Sequence, residues 1–411
     1  MQAGQKPVLG VVTTWFERGA TRVSLAYIEV LRNDFDIRVY ARSGDAFPHN
    51  DPAWNQDFVY WSEFVPGAPK THIDWRDFEA WMKREAIDVL LFNEQQDWDV
   101  IVRLQRLQER PLMGAYIDYY TDESVGFFHL YDFLLCNTRR HLSAFETHPQ
   151  ALYVPWGVDV ASFPIEAPPE RPFTYFHSLG YNPYRKGTDL TIQAFSGLKH
   201  DNIRLVLHAQ RPLSDFPDLA PLVHADQRIS WIHQEVPPPG LYHLGDVYVY
   251  PSRLDGIGLS LPEALASGLP AITTDEPPMN EFVTHGENGF LVPVAKRWKR
   301  DDQYFWEMGA CAVDDIAKAM DAAWNARNEW DTWRKRTRAM AEQQLDWKQN
   351  ARDLPEQLKR VSRLQPTAEL VDECADWQRA KTPALPLRFK VHRLLVKLGA
   401  RKVKRAVFGR S

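Results

Sequence analysis

Cysteine is scarce: three residues in 411, at Cys136, Cys311 and Cys374, an odd number with no Cys-x-x-Cys spacing. This argues against a disulfide framework and a structural zinc site, and fits a reducing cytoplasm. Long apolar runs are also missing. No window holds eighteen uninterrupted apolar residues, so no membrane-spanning helix is expected. The opening Met1-Gln-Ala-Gly-Gln-Lys-Pro-Val-Leu-Gly-Val-Val12 has neither the basic segment nor the long apolar core of a signal peptide. Positive charge is not in excess: 49 Lys and Arg stand against 54 Asp and Glu, a net charge of -5. Nucleic acid is therefore not expected as a partner. His129, His141, His208 and His233 show no paired metal-ligand spacing and are read as packed or surface residues. Asp-x-Asp occurs at Asp34-Phe-Asp36 and Asp97-Trp-Asp99, the first like a turn before a strand, the second opening a helix. Both are read as structural, so no required metal and no cofactor are expected.

What is present is alternation. The length suggests two domains, each large enough for its own core, and 44% hydrophobic with 25% charged residues describes a soluble globular chain. Short apolar runs alternate with helix-like stretches, the pattern of a parallel α/β sheet. Val8–Val12, Ile37–Tyr40, Val89–Phe92, Gly114–Ile117, Phe133–Cys136 and Leu152–Val154 read as strands of a first domain, residues 1–162. Phe173–Phe176, Leu205–His208, Ile229–Ile232, Val247–Tyr250 and Pro270–Thr273 read as strands of a second, residues 173–344. Between them, 163–172 carries four prolines, which sustain neither a helix nor a central strand, and reads as a linker.

The densest chemistry lies in Pro251-Ser-Arg-Leu-Asp-Gly-Ile-Gly-Leu-Ser-Leu-Pro-Glu263. The strand Val247–Tyr250 runs into a loop with two glycines, and a helix begins near Pro262, a residue tolerated in a first helical turn. Amides of Gly256, Ile257, Gly258 and Leu259 then lie at a helix start, where donors and dipole favour an anion. Asp255 and Glu263, eight residues apart, flank them. The alternative is an ordinary strand–loop–helix unit whose acids favour the helix start.

This segment resembles the Glu-x7-Glu motif of retaining glycosyltransferases of family four, which have the GT-B fold. The flanking stretches Leu241–Ser252 and Met279–Val292 follow the family's pattern as well. The resemblance implies two Rossmann-like doubly wound α/β domains facing across a cleft. It implies that Asp255 sits by the donor sugar, that Glu263 holds the ribose hydroxyls, and that the amides between them touch sugar and phosphate. Asp255 stands where the family has Glu, shorter by one methylene or about 1.5 Å of reach. The resemblance also implies a helix, at about 345–362, crossing back to the first domain, with 363–411 as an extension.

Gly180-Tyr-Asn-Pro-Tyr-Arg-Lys-Gly187 resembles the family's phosphate-binding segment, with Lys186 matching the lysine that neutralises the donor diphosphate. Tyr181 stands where the family usually has Arg, and Arg185 is taken to supply that charge. A solvated Arg-Lys turn is the alternative. Gly19 follows the first strand, where the resemblance implies a loop against the donor phosphates and the acceptor, and it lets backbone approach a ligand without a side chain between; a simple strand–helix turn is the alternative. Asp118 stands where many family members carry a His close to the sugar. Glu94 ends another strand and is a candidate for the acceptor. Each is also readable as a helix cap or loop residue.

From Leu387 the tail holds nine Lys or Arg and no acid, with Leu387, Val391, Leu394 and Leu398 on one helical face. It reads as an interfacial helix drawn to anionic lipid, or as a basic segment packed or disordered. The resulting expectation is a cytoplasmic retaining glycosyltransferase at the inner face of a membrane. Its partners are a nucleotide-sugar donor and a saccharide or lipid-linked acceptor, in bacterial envelope polysaccharide or glycolipid synthesis. The alternatives are a catalytically silent nucleotide-sugar-binding protein and a nucleotide-sugar epimerase of the same fold.

Overall fold

The computed structural model describes residues 6–42, 51–62, 71–165, 171–237 and 239–382. The basic tail 387–411 and part of the proline-rich linker lie outside them. The first series of elements is β1 (Val8–Thr13), α1 (Gly19–Leu31), β2 (Asp36–Ala41), β3 (Val59–Trp61), α2 (Trp75–Glu85), β4 (Val89–Asn93), α3 (Asp99–Gln105), β5 (Leu112–Tyr116), β6 (Phe133–Cys136), α4 (Arg139–Ala144) and β7 (Ala151–Tyr153). The second begins with β8 (Phe173–Gly180), α5 (Thr188–Gly197), β9 (Ile203–Ala209), α6 (Ala220–His224), β10 (Ile229–His233), β11 (Val247–Tyr250), α7 (Ser260–Ala266), β12 (Ala271–Thr274) and β13 (Gly289–Val292). A hairpin of β14 (Val294–Trp298) and β15 (Met308–Cys311) follows. The helices α8 (Val313–Asn325), α9 (Trp330–Gln344), α10 (Trp347–Asn350), α11 (Leu354–Arg360) and α12 (Ala368–Lys381) end the described chain.

Two sheets result, in the orders β3-β2-β1-β4-β5-β6-β7 and β10-β9-β8-β11-β12-β13. Both are Rossmann-like. Their central strands β1, β4 and β11 are buried along their whole length, which is why they read as continuous apolar runs rather than alternating ones. All eleven expected strands are present, with ends shifted by a few residues. The sequence reading missed β3, β13 and the hairpin. β3 is a three-residue edge strand, and Val294-Ala-Lys-Arg-Trp298 has two exposed cations in it.

By contact density the chain divides into two units: residues 1–116, 126–134 and 361–411, and residues 117–125 and 135–360. In the first unit the returning segment is held by a buried ion pair. Arg110 Nη1 lies 2.6 Å from Asp132 Oδ2, and the Leu364 amide donates to the same carboxylate at 2.8 Å. The Trp98 amide donates to Gln378 Oε1 on α12 at 2.8 Å.

In each sheet strand order reverses beside the first strand of its series, between β1 and β4 and between β8 and β11. Crevices at the carboxyl ends of such strands are where open α/β sheets hold ligands. The loops carrying Gly19 and Glu94 follow β1 and β4. Those carrying Lys186 and Asp255 follow β8 and β11.

Candidate functional site

In the second unit the loops after β8 and β11 are stitched together. The Arg253 amide donates to the Arg185 carbonyl at 2.8 Å, and the Arg253 guanidinium grips Asp189, in the first turn of α5, through two bonds of 2.7 Å. This bidentate geometry fixes the two loops against each other. Lys186 and Asp255 meet at the junction. Lys186 Nζ donates to Asp255 Oδ2 at 2.9 Å and Oδ1 at 3.1 Å, and also to Tyr250 Oη. Asp255 Oδ2 accepts further bonds from Tyr250 Oη at 2.5 Å and Ser252 Oγ at 2.8 Å, and Arg185 stands 3.7 Å from Oδ1.

Asp255 is 6% exposed. Burial alone would raise its pKa, but the neighbouring Lys186 and Arg185 charges outweigh burial and hold the carboxyl well below the usual range. Burial also lowers Lys186, against the pull of Asp255. Burial first and Asp255 second push Tyr250 far up, so its phenol stays a donor. The result is an ionised carboxylate with its oxygens engaged by donors, beside a buried cation.

Beyond Asp255 the backbone changes character. Gly258 takes φ +81°, a conformation that favours glycine. Among the described residues the amides of Gly256, Ile257, Gly258 and Leu259 donate no hydrogen bond within the chain. Four consecutive amides without an internal partner, on the loop that follows Asp255, are donors left for a ligand's phosphate oxygens. Gly256 has a second reason to be glycine: a Cβ there would lie 2.2 Å from Asp118 Oδ1. The structure thus brings Asp118 to the motif loop.

Glu263 lies in the first turn of α7, where Tyr242 Oη donates to its Oε2 at 2.6 Å. The sequence-predicted Lys186, Arg185, Asp255, Gly256 and Asp118 therefore gather at one place, with Ile257, Gly258, Leu259 and Glu263 continuing from it. Sequence reasoning missed Tyr250, Ser252 and Tyr242. Tyr250 ends β11 and read only as a strand residue, Ser252 lies in the loop after it, and Tyr242 lies in a single turn, Tyr242–Leu244, before it.

The first unit holds Gly19 and Glu94. Gly19 opens α1, and Arg18 Nη2 lies 2.9 Å from Glu94 Oε2. Glu94 adopts φ +54°, an uncommon conformation for a non-glycine residue. The buried Arg42 braces it, donating to the Asn93 carbonyl at 2.6 Å, Gln95 Oε1 at 2.7 Å and the Glu94 carbonyl at 3.4 Å. Burial lowers Arg42 to about 10, leaving it charged at neutral pH. Arg42 closes a strand as an ordinary surface arginine would, and nothing in the sequence marked it. Of the two Asp-x-Asp stretches, Asp36 pairs with Arg38 at 2.8 Å, Asp97 with His72 at 2.9 Å and Asp99 with Arg103 at 2.7 Å.

Residues 172–300 match the protein family described as Glycosyl transferases group 1. Over 98 residues it is 36% identical to the lipopolysaccharide core biosynthesis mannosyltransferase LpsB of Rhizobium meliloti, covering 23% of this chain and 22% of that protein. Over 54 residues it is 44% identical to the GtfA subunit of the UDP-N-acetylglucosamine–peptide N-acetylglucosaminyltransferase of Streptococcus pneumoniae, covering 13% and 11%. The matched stretches thus span about a fifth and a tenth of these relatives. Anabaena HepE in complex with UDP and glucose superposes with a TM-score of 0.67 at 15% identity, over 86% of this chain and all of that one. Pneumococcal GtfA in complex with UDP and GlcNAc superposes with a TM-score of 0.62 at 14% identity, over 90% and 99%. These likenesses show the fold, two Rossmann-like parallel-sheet domains of the GT-B glycosyltransferase type.

Proposed function

We propose that this chain is a glycosyltransferase that moves a sugar from a nucleoside diphosphate sugar to a hydroxyl acceptor, with retention at the anomeric carbon and without a required metal. One observation carries the reading: Lys186, Asp255 and the open amides of 256–259 converge at the strand-order reversal of the sheet that bears the group 1 match. In this scheme the bond between the anomeric carbon and the diphosphate oxygen breaks, and the diphosphate leaves with the electron pair. The acceptor oxygen bonds to the same face of the sugar, and its proton passes to the departing phosphate. Lys186, Arg185 and the amides receive the charge as it develops, where a fixed donor lowers the barrier most. Asp255 and Asp118 position the sugar, Glu263 anchors the ribose, and Gly19 and Glu94 serve the donor phosphates and the acceptor.

Envelope polysaccharide or glycolipid synthesis is the proposed setting, supported by the likeness to LpsB, with residues 387–411 contacting anionic lipid. Among the described residues no helix is long and apolar enough to cross a membrane. A second reading, donor binding without turnover, draws on the shorter Asp255, whose carboxylate is taken up by internal donors.

The test is release of nucleoside diphosphate from UDP-, GDP-, ADP- and dTDP-sugars, with and without saccharide acceptors, followed by proton NMR of the new anomeric centre. Acceptor-dependent release with a retained anomer supports the proposal. Acceptor-independent release indicates an epimerase, and binding without release indicates the silent protein. An inverted product contradicts the scheme.

A further inference from the structure

The β14–β15 hairpin carries consecutive aromatic residues, Tyr304, Phe305 and Trp306, that the scheme above does not use. Within the second unit its loop grips residues 118–122. Tyr304 Oη donates to the Asp118 carbonyl at 3.0 Å, and its ring stacks on Tyr119 with centroids 5.4 Å apart. The Phe305 amide donates to the Tyr120 carbonyl at 2.9 Å, and Lys299 pairs with Asp122 at 3.1 Å. The hairpin is also tied to the motif loop, the Gly309 amide donating to the Arg253 carbonyl at 2.8 Å. Leu254 of that loop packs in a small buried cluster with Tyr304 and Met308.

A second path runs from the same loop to Gly256. Trp306 Nε1 is 2.7 Å from Tyr120 Oη, Tyr120 Oη is 3.0 Å from His141 Nδ1, and His141 Nε2 is 3.2 Å from the Gly256 carbonyl oxygen. An indole N–H only donates and a carbonyl only accepts, so with a neutral imidazole the ends of the path set the direction of each bond between them. Trp306 donates to Tyr120, Tyr120 donates to Nδ1, and a neutral imidazole donates from Nε2 to Gly256. Burial, then the Arg140 charge, push His141 down to about 3, which keeps it neutral. The Gly256–Ile257 peptide is planar, with its carbonyl and N–H pointing in opposite directions. A donor holding the Gly256 oxygen therefore aims the Ile257 N–H the other way.

Resting on the donor reading above, we infer that this hairpin is a positioning element for the donor diphosphate. Tyr304 sets Asp118 against Gly256, and Trp306, acting through Tyr120 and His141, sets the direction of the Ile257 amide. Trp306 and His141 act through other groups and are positioning residues.

The experiment uses the full chain and three variants. Trp306→Phe keeps a ring and removes the donor, His141→Leu removes the bond to Gly256, and His141→Gln retains an N–H near the same place. Hydrogen exchange is expected to quicken about tenfold or more at the bonded amides of Ile117, Arg253, Phe305 and Gly309 in the first two, with β8, β9 and β10 unchanged. With UDP-glucose, or the sugar nucleotide whose diphosphate stabilises the wild type, kcat is expected to fall about tenfold to a hundredfold while KM stays within about twofold. His141→Gln is expected to recover most of the loss. Unchanged exchange at Arg253 and Gly309, a KM effect without a kcat effect, or equal losses in the Gln and Leu variants overturn the inference. A wild-type chain that binds no nucleoside diphosphate rejects the donor reading instead, and the exchange result then still decides whether the hairpin orders the loop.

Discussion

The two sheets share an order over six strands, and in each a cation meets the loop after the strand that follows the reversal. Arg42 comes from the end of β2 and Lys186 from the loop after β8, yet the two cations are satisfied differently. In the first, Arg42 is met by the carbonyls of Asn93 and Glu94 and by the Gln95 amide oxygen, neutral groups that serve to hold the Glu94 turn. In the second, Lys186 is met by a carboxylate, and the loop beyond turns its amides away from internal partners. A cation spent on main-chain carbonyls shapes a loop. The donors of Lys186 are engaged by Asp255 and Tyr250, and the amides beyond Asp255 are the groups left open to an incoming phosphate. The same fold thus gives one structural arginine and one lysine suited to chemistry.

Removing the lysine breaks the contrast most severely. Lys186→Ala should lower turnover by about a hundredfold or more, because charge on the leaving group then develops without its cation. It should also cost about 3 kcal/mol of stability by leaving Asp255 buried without its nearest cation, read as a lower urea midpoint.

Acidification should separate the halves next. Two buried histidines of the second unit are held neutral, His141 pushed to about 3 and His177 to about 4, in both cases by burial first. Their folded pKa values lie below the unfolded value near 6.5, so below that pH the unfolded chain takes up protons that the folded chain refuses. Stability is full above about pH 6.5 and falls as pH drops toward 4, by up to about 1.4 kcal/mol per pH unit for each histidine. Urea unfolding at pH 7, 6 and 5 checks this, and His141→Gln should remove one proton from the slope.

Arg42→Met sharpens the comparison from the other side. It strips the Asn93 and Glu94 carbonyls of a donor and should cost about 2 kcal/mol, while nucleoside diphosphate affinity, measured by calorimetry, stays within about twofold because the donor groups lie in the other unit. The smallest effect expected is that of Glu263→Ala. Loss of a ribose contact should weaken nucleotide binding about tenfold, with kcat for bound donor nearly unchanged.

The sequence revealed the fold and the site unequally, for physical reasons. Strands buried on both faces leave apolar runs, so β1, β4 and β11 were readable, and the Pro251–Glu263 spacing placed Asp255, Gly256 and Glu263 on one loop and helix start. Lys186 required resemblance, since an Arg-Lys turn is common on surfaces. The partners of these residues left no local mark. Tyr250 reads as a strand residue, yet its hydroxyl reaches Asp255. His141 was read as packed or surface-exposed, and it is fully buried, but its ring nitrogen holds the motif glycine's carbonyl. The first contact spans five positions and the second 115, and periodicity carries no information about either. The hairpin escaped for a related reason: its first strand is mostly exposed, and what its loop packs against belongs to a distant segment.

The most direct test of the central claim is thermal unfolding of wild-type and Lys186→Ala chains against UDP, GDP, ADP, CMP and dTDP. A diphosphate at 100 times its dissociation constant should stabilise the wild type by about 2.7 kcal/mol, with the shift confined to one base and largely lost in the variant. Equal shifts in both chains, or none with any nucleotide, would contradict a phosphate site built on Lys186 and the 256–259 amides.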